Sequence, residues 1–492
     1  MNGHQFDSGL SHSPVAETHY GLLRGVSVSP DVWGYFGIPY AAPPVGALRW
    51  RPPEEPPAWS GIREATAFGA DPIQPVGMRT TRAPAMSEDC LYLNIWTPKE
   101  RRQGRWPVLI WSCGGAFTMG SGAFAEEDPA KLAAKGAVVV SFNVRLNIFG
   151  FLAHPALSAE SPHGSSGNYG LLDQAAAFRW VRNNIQGFNG DKERMTFFGQ
   201  SAGATMGMLL LSSPIVDRPY DRAIFQSPGS YSSLLPLEEA ERHGAPLGLN
   251  TEELRHIPAD QLVEKAAKLP AARPSLWLAR PVRPIADGWV IRSQTPMSAG
   301  NFEAVPAIIG INEDEGRFFG PRMGVKTVGD FENFVRAVFG DNANKALQHY
   351  PVATDGDVPT MFSAIYGDRG FSYPINQLAR AFSRSGQAVY RYVYSYRHGD
   401  TDKPPTHSEE AAVLMGTLPH VRAEDAAMAD MMARYWINFA ETGNPNASGL
   451  AEWPTYDEEA HSYLRLDVPP SIGSRWRSDH VAFVAKEKAD GP

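Results

Sequence analysis

The chain predicts an α/β fold, a mainly parallel sheet covered by helices on both faces. Two observations carry this: apolar, β-branched runs recur along its length, and amphipathic helical patterns separate them. In chain order the expected strands are "PVLIWS" at 107–112, "AVVVSFN" at 137–143, "MTFFG" at 195–199 and "RAIFQS" at 222–227. "AVPAIIGIN" at 304–312, "AVYRYVYSY" at 388–396 and "SYLRL" at 462–466 follow. Among the helices, "YGLLDQAAAFRWVRNNI" steps Leu171, Ala175, Phe178, Val181 and Ile185 by three or four residues, which builds one apolar face. A second helix is expected in "AAMADMMARYWINFAETG", with Gly443 and Pro445 as its stop, and Met431, Met432 and Trp436 read as core packing. Pro and Gly are spread along the whole chain, and neither a repeat nor a long low-complexity linker interrupts it. The expected organisation is a polar extension over residues 1–17 and a single domain over 18–492 with long insertions between strands.

A chain of 492 residues with 43% hydrophobic, 20% charged and 11% aromatic residues has the composition of a folded protein with a large core. Its formal net charge of −8, with no block of Lys or Arg, argues against nucleic acid or an anionic membrane as partner and toward a small molecule. No run of about 18 apolar residues occurs, and the opening "MNGHQFDSGLSHSPVAET" lacks the apolar core of a signal peptide. A soluble protein is therefore expected, with its compartment and oligomeric state open. Cys90 and Cys113 are the two cysteines; they permit at most one internal disulfide and no zinc-type CxxC pair.

The stretch "TFFGQSAGAT", 196–205, carries the chemistry. An apolar strand runs into Ser201, Gly199, Ala202 and Gly203 leave room for a sharp turn, and "ATMGMLLL" can start a helix. This is the context of a G-x-S-x-G elbow, which exposes the serine oxygen at a helix N-terminus that favours developing negative charge. A serine hydroxyl is a weak nucleophile at neutral pH, so it needs a histidine base, and the histidine needs a carboxylate to hold its tautomer. Glu315 follows the strand "AIIGIN" and His407 follows "AVYRYVYSY", in the order that such folds use. Glu313 and Asp314 compete with Glu315, and His398 and His420 with His407; spacing alone does not separate them.

Taken together, "FGIPYAAPPVGALRWRPP", "SEDCLYLNIWTP", "NVRLNIFGFL", "GNYGLLDQAAAFRWVRNNIQGFNGD", "DEG" and "WINFAETGNPN" resemble the type-B carboxylesterase and cholinesterase family, from about Thr18 to Tyr456. The resemblance implies an α/β-hydrolase fold with a large, mostly parallel central sheet flanked by helices. It implies ester hydrolysis through an acyl-enzyme, without metal or organic cofactor. It also selects Glu315 as triad acid, and His407, of an H-x-x-E pattern completed by Glu410, as base. Ser227 matches a serine that supports the triad, and the N–H groups of Gly115, Ala116 and Ala202 match an oxyanion hole. Arg49 with Glu88, and Arg145 with Asp173, match structural ion pairs.

Several departures bear on substrate. The family's H-G-G-G loop reads "SCGGAF" here, with Cys113 at the histidine position, where a buried structural thiol is the expectation, and Ala116 in place of a glycine. A loop disulfide of the family is missing, since Pro72 stands near where Cys90 would find its partner. Choline-ester relatives carry an acid before the nucleophile and a tryptophan in the preceding loop; here Gln200 replaces the acid and the loop holds Arg79 and Arg82 instead. A neutral Gln200 with Arg79, Arg82 and Arg317 would suit an acyl group bearing carboxylates. Bacterial relatives that remove tricarballylate chains from fumonisin-type toxins exemplify this class. The competing expectations are a general short-chain esterase on neutral esters, an amidase, and a catalytically dead adhesion homologue. The last would lack a triad member, and all three are present.

Overall fold

In the computed structural model the apolar runs pair into one eleven-stranded sheet; the model describes residues 13–77, 79–229, 233–248, 250–269, 282–297, 300–399, 401–419 and 422–489. In chain order its strands are β1 (Val26–Ser29), β2 (Val32–Pro39), β3 (Tyr92–Pro98), β4 (Trp106–Ser112), β5 (Val138–Phe142) and β6 (Gly190–Gln200). β7 (Arg222–Gln226), β8 (Ala307–Asn312), β9 (Val389–Tyr394), β10 (Ser462–Leu466) and β11 (Ser471–Ser474) complete it. Across the sheet the order is β11-β10-β9-β8-β7-β6-β4-β5-β3-β2-β1. The seven strands from β10 to β5 run parallel, and both flanks are antiparallel.

Each of the seven runs singled out in the sequence lies on one of these parallel strands. β8 and β9 are buried at every position, as expected of strands covered on both faces. Side chains alternate between two cores: Val389 and Val393 of β9 enter one, Tyr390, Tyr392 and Tyr394 the other. The first expected helix is α1 (Tyr169–Asn184). The serine leads into α2 (Ala202–Leu210). Beyond β8, α3 (Tyr373–Arg384) packs on β8 and β9. The second expected helix, α4 (Ala423–Thr442), starts earlier than its apolar pattern and ends on Gly443 at φ 81°. Its Met432 and Trp436 are buried, and Met431 is partly buried against the same cluster.

A three-stranded side sheet holds Val15–Thr18, Gly21–Arg24 and Ile62–Glu64, so ordered pairing begins inside the segment read as an extension. Arg145 donates from Nε and Nη2 to Asp173 at 2.9 and 2.7 Å, tying the loop after β5 to α1. Arg49 holds Glu88 at 2.5 and 2.7 Å. Both pairs match the structural role assigned to them. Cys90 and Pro72 line one small cavity, and both cysteines are free thiols. No helix among the described residues is long and apolar enough to cross a membrane.

Candidate active site

Parallel strands deliver their loops to one edge, and the three triad candidates all follow carboxyl ends there: Ser201 after β6, Glu315 after β8 and His407 after β9. Ser201 sits at φ 55°, ψ −124°, outside the regions open to ordinary L-residues, and its N–H donates to the Gln226 carbonyl at 2.9 Å. That bond pins the elbow between β6 and β7. Gly203 is obligatory for the same turn, since a Cβ there would run into the Ser112 and Cys113 carbonyls.

The Ser201 Oγ lies 2.9 Å from His407 Nε2, and His407 Nδ1 lies 2.5 Å from Glu315 Oε2. With Nδ1–H given to the carboxylate, Nε2 is the acceptor that faces the serine hydroxyl. Glu315 Oε1 accepts from the Ser227 hydroxyl at 2.5 Å and from the Asn312 N–H at 2.7 Å. His407 and Glu315 are both buried, and Phe318, Phe319 and Phe371 ring the imidazole with centroids 4.8–5.6 Å away.

The competitors go elsewhere. Glu313 faces Arg465, Asp314 faces Arg317 and the Ser363 hydroxyl, and His398 turns Nε2 to the Pro419 carbonyl and Nδ1 toward Asp425. His420 lies outside the described residues.

The "SCGGAF" loop after β4 folds over the elbow. Gly115 at φ 130° accepts from the N–H groups of Thr118 and Met119 at 3.1 Å, and a side chain there would strike the Met119 backbone. Ala116 follows at φ 53° and Phe117 at φ 66°. A small cavity separates this loop from the first turn of α2, lined by Cys113, Gly114, Phe117, Leu146, Ala202 and Met206. Cys113 is partly rather than fully buried, and desolvation with the neighbouring Glu127 pushes its thiol up to about 12, which keeps it protonated at neutral pH.

Gln200, buried at the end of β6, places its Nε2 3.1 Å from His407 Nε2. Its amide therefore donates to the same lone pair that the serine hydroxyl uses. Behind the triad, Asn312 Nδ2 reaches Glu410 Oε2 at 2.5 Å, and burial, then the nearby Glu315, raise the Glu410 carboxyl to about 8.

The three arginines read as acyl-group ligands are each met by protein acceptors. Arg79 pairs with Glu127 at 2.6 Å over the Phe124 ring, and Arg82 with Asp128 at 2.5 Å over Phe68. Arg317 bridges Asp314 and the Pro404 carbonyl. A substrate carboxylate reaching any of them would compete with these partners. Sequence reasoning missed Asn312 and the three phenylalanines. A polar residue closing the apolar run "AIIGIN" was the available signal for Asn312; Phe318 and Phe319 follow Glu315 in the same loop, whereas Phe371 comes from a segment about fifty residues further on. Among the described residues no group of three or more His, Cys, Asp or Glu side chains is arranged to hold a metal.

With that geometry in place, comparison with known proteins matches residues 12–484 to the carboxylesterase family. The chain is 42% identical to fumonisin B1 esterase of Sphingopyxis macrogoltabida, over 97% of this chain and 90% of that relative. It is 32% identical to para-nitrobenzyl esterase of Bacillus subtilis (strain 168), over 93% and 96%. It is 31% identical to pyrethroid hydrolase Ces2a of Mus musculus, over 97% and 92%.

Proposed function

The chain belongs to the carboxylesterase family and is a serine-type carboxylic ester hydrolase, and from that premise we propose that Ser201, His407 and Glu315 carry its reaction and that its substrates are esters of polycarboxylic acids. The observation that carries the first part is the hydrogen-bonded line from Ser201 Oγ through the imidazole to a buried, doubly anchored carboxylate.

Ser201 Oγ attacks the ester carbonyl as His407 Nε2 takes its proton. The oxyanion that forms lies against the Ala202 N–H at the start of α2 and the N–H groups of Gly115 and Ala116; one such donor is worth about 10²–10³ in rate. His407 then gives its proton to the leaving alcohol, the acyl-enzyme remains, and water repeats the sequence. Glu315 holds the imidazolium throughout. The Ser227 hydroxyl and the Asn312 N–H fix the carboxylate without adding charge.

The polycarboxylate reading draws on Gln200, which puts a neutral amide where an acid would repel an anionic acyl group, and on the similarity to a fumonisin B1 esterase. A second reading, a short-chain esterase on neutral esters, is favoured by the ion pairs that already occupy Arg79 and Arg82. A panel of acetate, butyrate, long-chain, choline and tricarballylate esters, with Ser201→Ala as blank, separates them. The expected outcome is the highest kcat/KM on tricarballylate esters and loss of about 10⁴-fold or more in the blank. Equal rates on acetate and tricarballylate select the second reading, and a fully active Ser201→Ala overturns the mechanism.

A further inference from the structure

The "SCGGAF" loop after β4 is fixed at its two ends by different elements. Its start leans on the elbow: a Cβ on Gly114 would come within 3.0 Å of the Ser201 Cβ, and one on Gly203 would run into the Ser112 and Cys113 carbonyls. Gly115, Ala116 and Phe117 then hold positive φ in succession, and conformations of that kind persist only where their surroundings impose them. The far end of the loop, residues 117–122, lies against the segment 70–74, which precedes β3.

Gln74 makes the central contact. Its Oε1 accepts from the Gly120 N–H at 2.9 Å, and its Nε2 donates to the Gly120 carbonyl at 3.0 Å and to the Pro72 carbonyl at 3.2 Å. One side-chain amide thus serves both backbone groups of one residue, as a neighbouring strand would. The reversed amide would set N–H against N–H and its oxygen against two carbonyls, so a single orientation satisfies the site. Beside it, Asn147 gives its side-chain Nδ2 to the Ile73 carbonyl at 2.8 Å and its N–H to the Phe117 carbonyl at 2.7 Å, and the buried Ser121 hydroxyl donates to Asp71. Cys90, in the same small cavity as Pro72, is a free thiol, so these polar contacts join the segment to the loop where a disulfide does not tie it down.

We propose that Gln74 is a positioning residue for ester hydrolysis, acting through Gly120 to aim the Gly115 and Ala116 N–H groups at the oxyanion; this rests on the reading of those groups as the oxyanion hole. The link between them is short. Thr118 and Met119, just before Gly120, give their N–H groups to the Gly115 carbonyl at 3.1 Å. That carbonyl and the Ala116 N–H belong to one planar trans peptide and point in opposite directions, so holding the first aims the second. Gln74, by fixing Gly120, fixes where residues 118 and 119 sit. It is half-buried beside the exposed Pro75, Val76 and Gly77, so exchanging it disturbs no core.

Steady-state kinetics of Gln74→Leu on p-nitrophenyl acetate, paired with inhibition by an alkylboronic acid, test this. The boron takes Ser201 Oγ as its fourth ligand, and the tetrahedral adduct places a charged oxygen where the oxyanion forms. The expected result is a kcat at least about tenfold below wild type, a KM within about threefold, and a boronate Ki that rises by about the factor that kcat falls. Gln74→Glu keeps an acceptor for the Gly120 N–H but sets a carboxylate against the Gly120 and Pro72 carbonyls. It should show the same split, and it decides the matter if Gln74→Leu does not fold. Equal kcat and Ki in wild type and variant, even with a lower Tm, would make Gln74 merely structural and overturn the proposal, as would a kcat loss with unchanged Ki. A boronate that fails to inhibit the wild type is a separate result, and it would refute the oxyanion hole itself along with the role of Gln74.

Discussion

Replacing Glu410 by Gln should make the protein more stable at neutral pH, although Glu410 is fully buried and hydrogen-bonded behind the triad. Its carboxyl lies against Asn312 and Gln226, whose Oδ1 and Oε1 are buried without partners. Asn312 Nδ2 donates to Glu410 Oε2 and Gln226 Nε2 to its Oε1, but burial with the nearby Glu315 outweighs these two bonds and raises its pKa to about 8. Below about pH 4.5 the group is protonated in folded and unfolded chain alike. Between about 4.5 and 8 the folded chain keeps a proton that the unfolded chain has released, so stability falls as pH rises, by about 1.4 kcal/mol per unit. By pH 7 the accumulated loss is about 3 kcal/mol, and it levels off above pH 8. A glutamine is neutral throughout, and rotation of the Asn312 or Gln226 amide turns a vacant oxygen toward its N–H, so Glu410→Gln lacks this slope. With an unfolding entropy near 1 kcal/mol/K for this length, the variant's Tm should exceed wild type by about 3 °C at pH 7 and by almost nothing at pH 4.5. The measurement is the Tm difference between the two proteins from pH 4.5 to 8.5, where all other groups cancel. A constant difference across that range refutes the argument, and a difference growing toward acid reverses its sign.

Three further outcomes follow from the site. Gln200→Glu brings a carboxylate to His407 Nε2 and should lower kcat/KM for an acidic ester at least tenfold relative to a neutral acetate; an unchanged ratio leaves Gln200 without a selectivity role. Arg79→Ala and Arg82→Ala each break a half-buried ion pair and a ring contact, so both should lower Tm by roughly 1–3 °C and slow acidic and neutral esters alike. A loss confined to the acidic ester would assign them to the substrate. At pH 8 a disulfide reagent should label neither thiol in the folded protein and both in denaturant, because burial holds the Cys90 and Cys113 thiols protonated; fast native labelling would contradict it.

The parallel strands were legible because burial on both faces writes itself as uninterrupted apolar runs, and all seven runs became strands of one sheet. The antiparallel flank of β1, β2 and β3 was not, since β2 mixes glycine, tryptophan and tyrosine in "VWGYFGIP". The elbow could be read because its turn demands small residues around Ser201. The base and the acid could be read only as sets of candidates, since a loop after a strand can bring any of several neighbours to the site. What brings Glu315 rather than its neighbours to His407 is a register: its Oε1 accepts from the N–H of Asn312, the last residue of β8, while Glu313 and Asp314 point to other partners. The arginines show the opposite limit. Charge in a loop beside an active site does not say whether a protein carboxylate reaches it first, and Glu127 and Asp128 do.

Part of the chain's backbone strain lies at the site, although other non-glycine residues at positive φ, among them Trp50, Asn189 and Arg475, lie elsewhere. Ser201 at φ 55°, Ser227 at 48°, Ala116 at 53° and Ser408 at 77° hold left-handed conformations, and each is beside a triad residue or in the loop over it. Each costs on the order of 1 kcal/mol or more, and such conformations persist only where the surroundings over-determine them. For Ser201 and Ser227 the determinants are inter-strand bonds, from Ser201 N–H to Gln226 and from Ser227 N–H to Gly310. The ladder from β6 through β7 to β8 thus ends in two strained residues. One presents the proposed nucleophile, and the other braces the carboxylate hydrogen-bonded to His407. The sheet's parallel pairing holds the strain that keeps Ser201, His407 and Glu315 in line, so preorganisation of the site is set by strand register as much as by the side chains themselves.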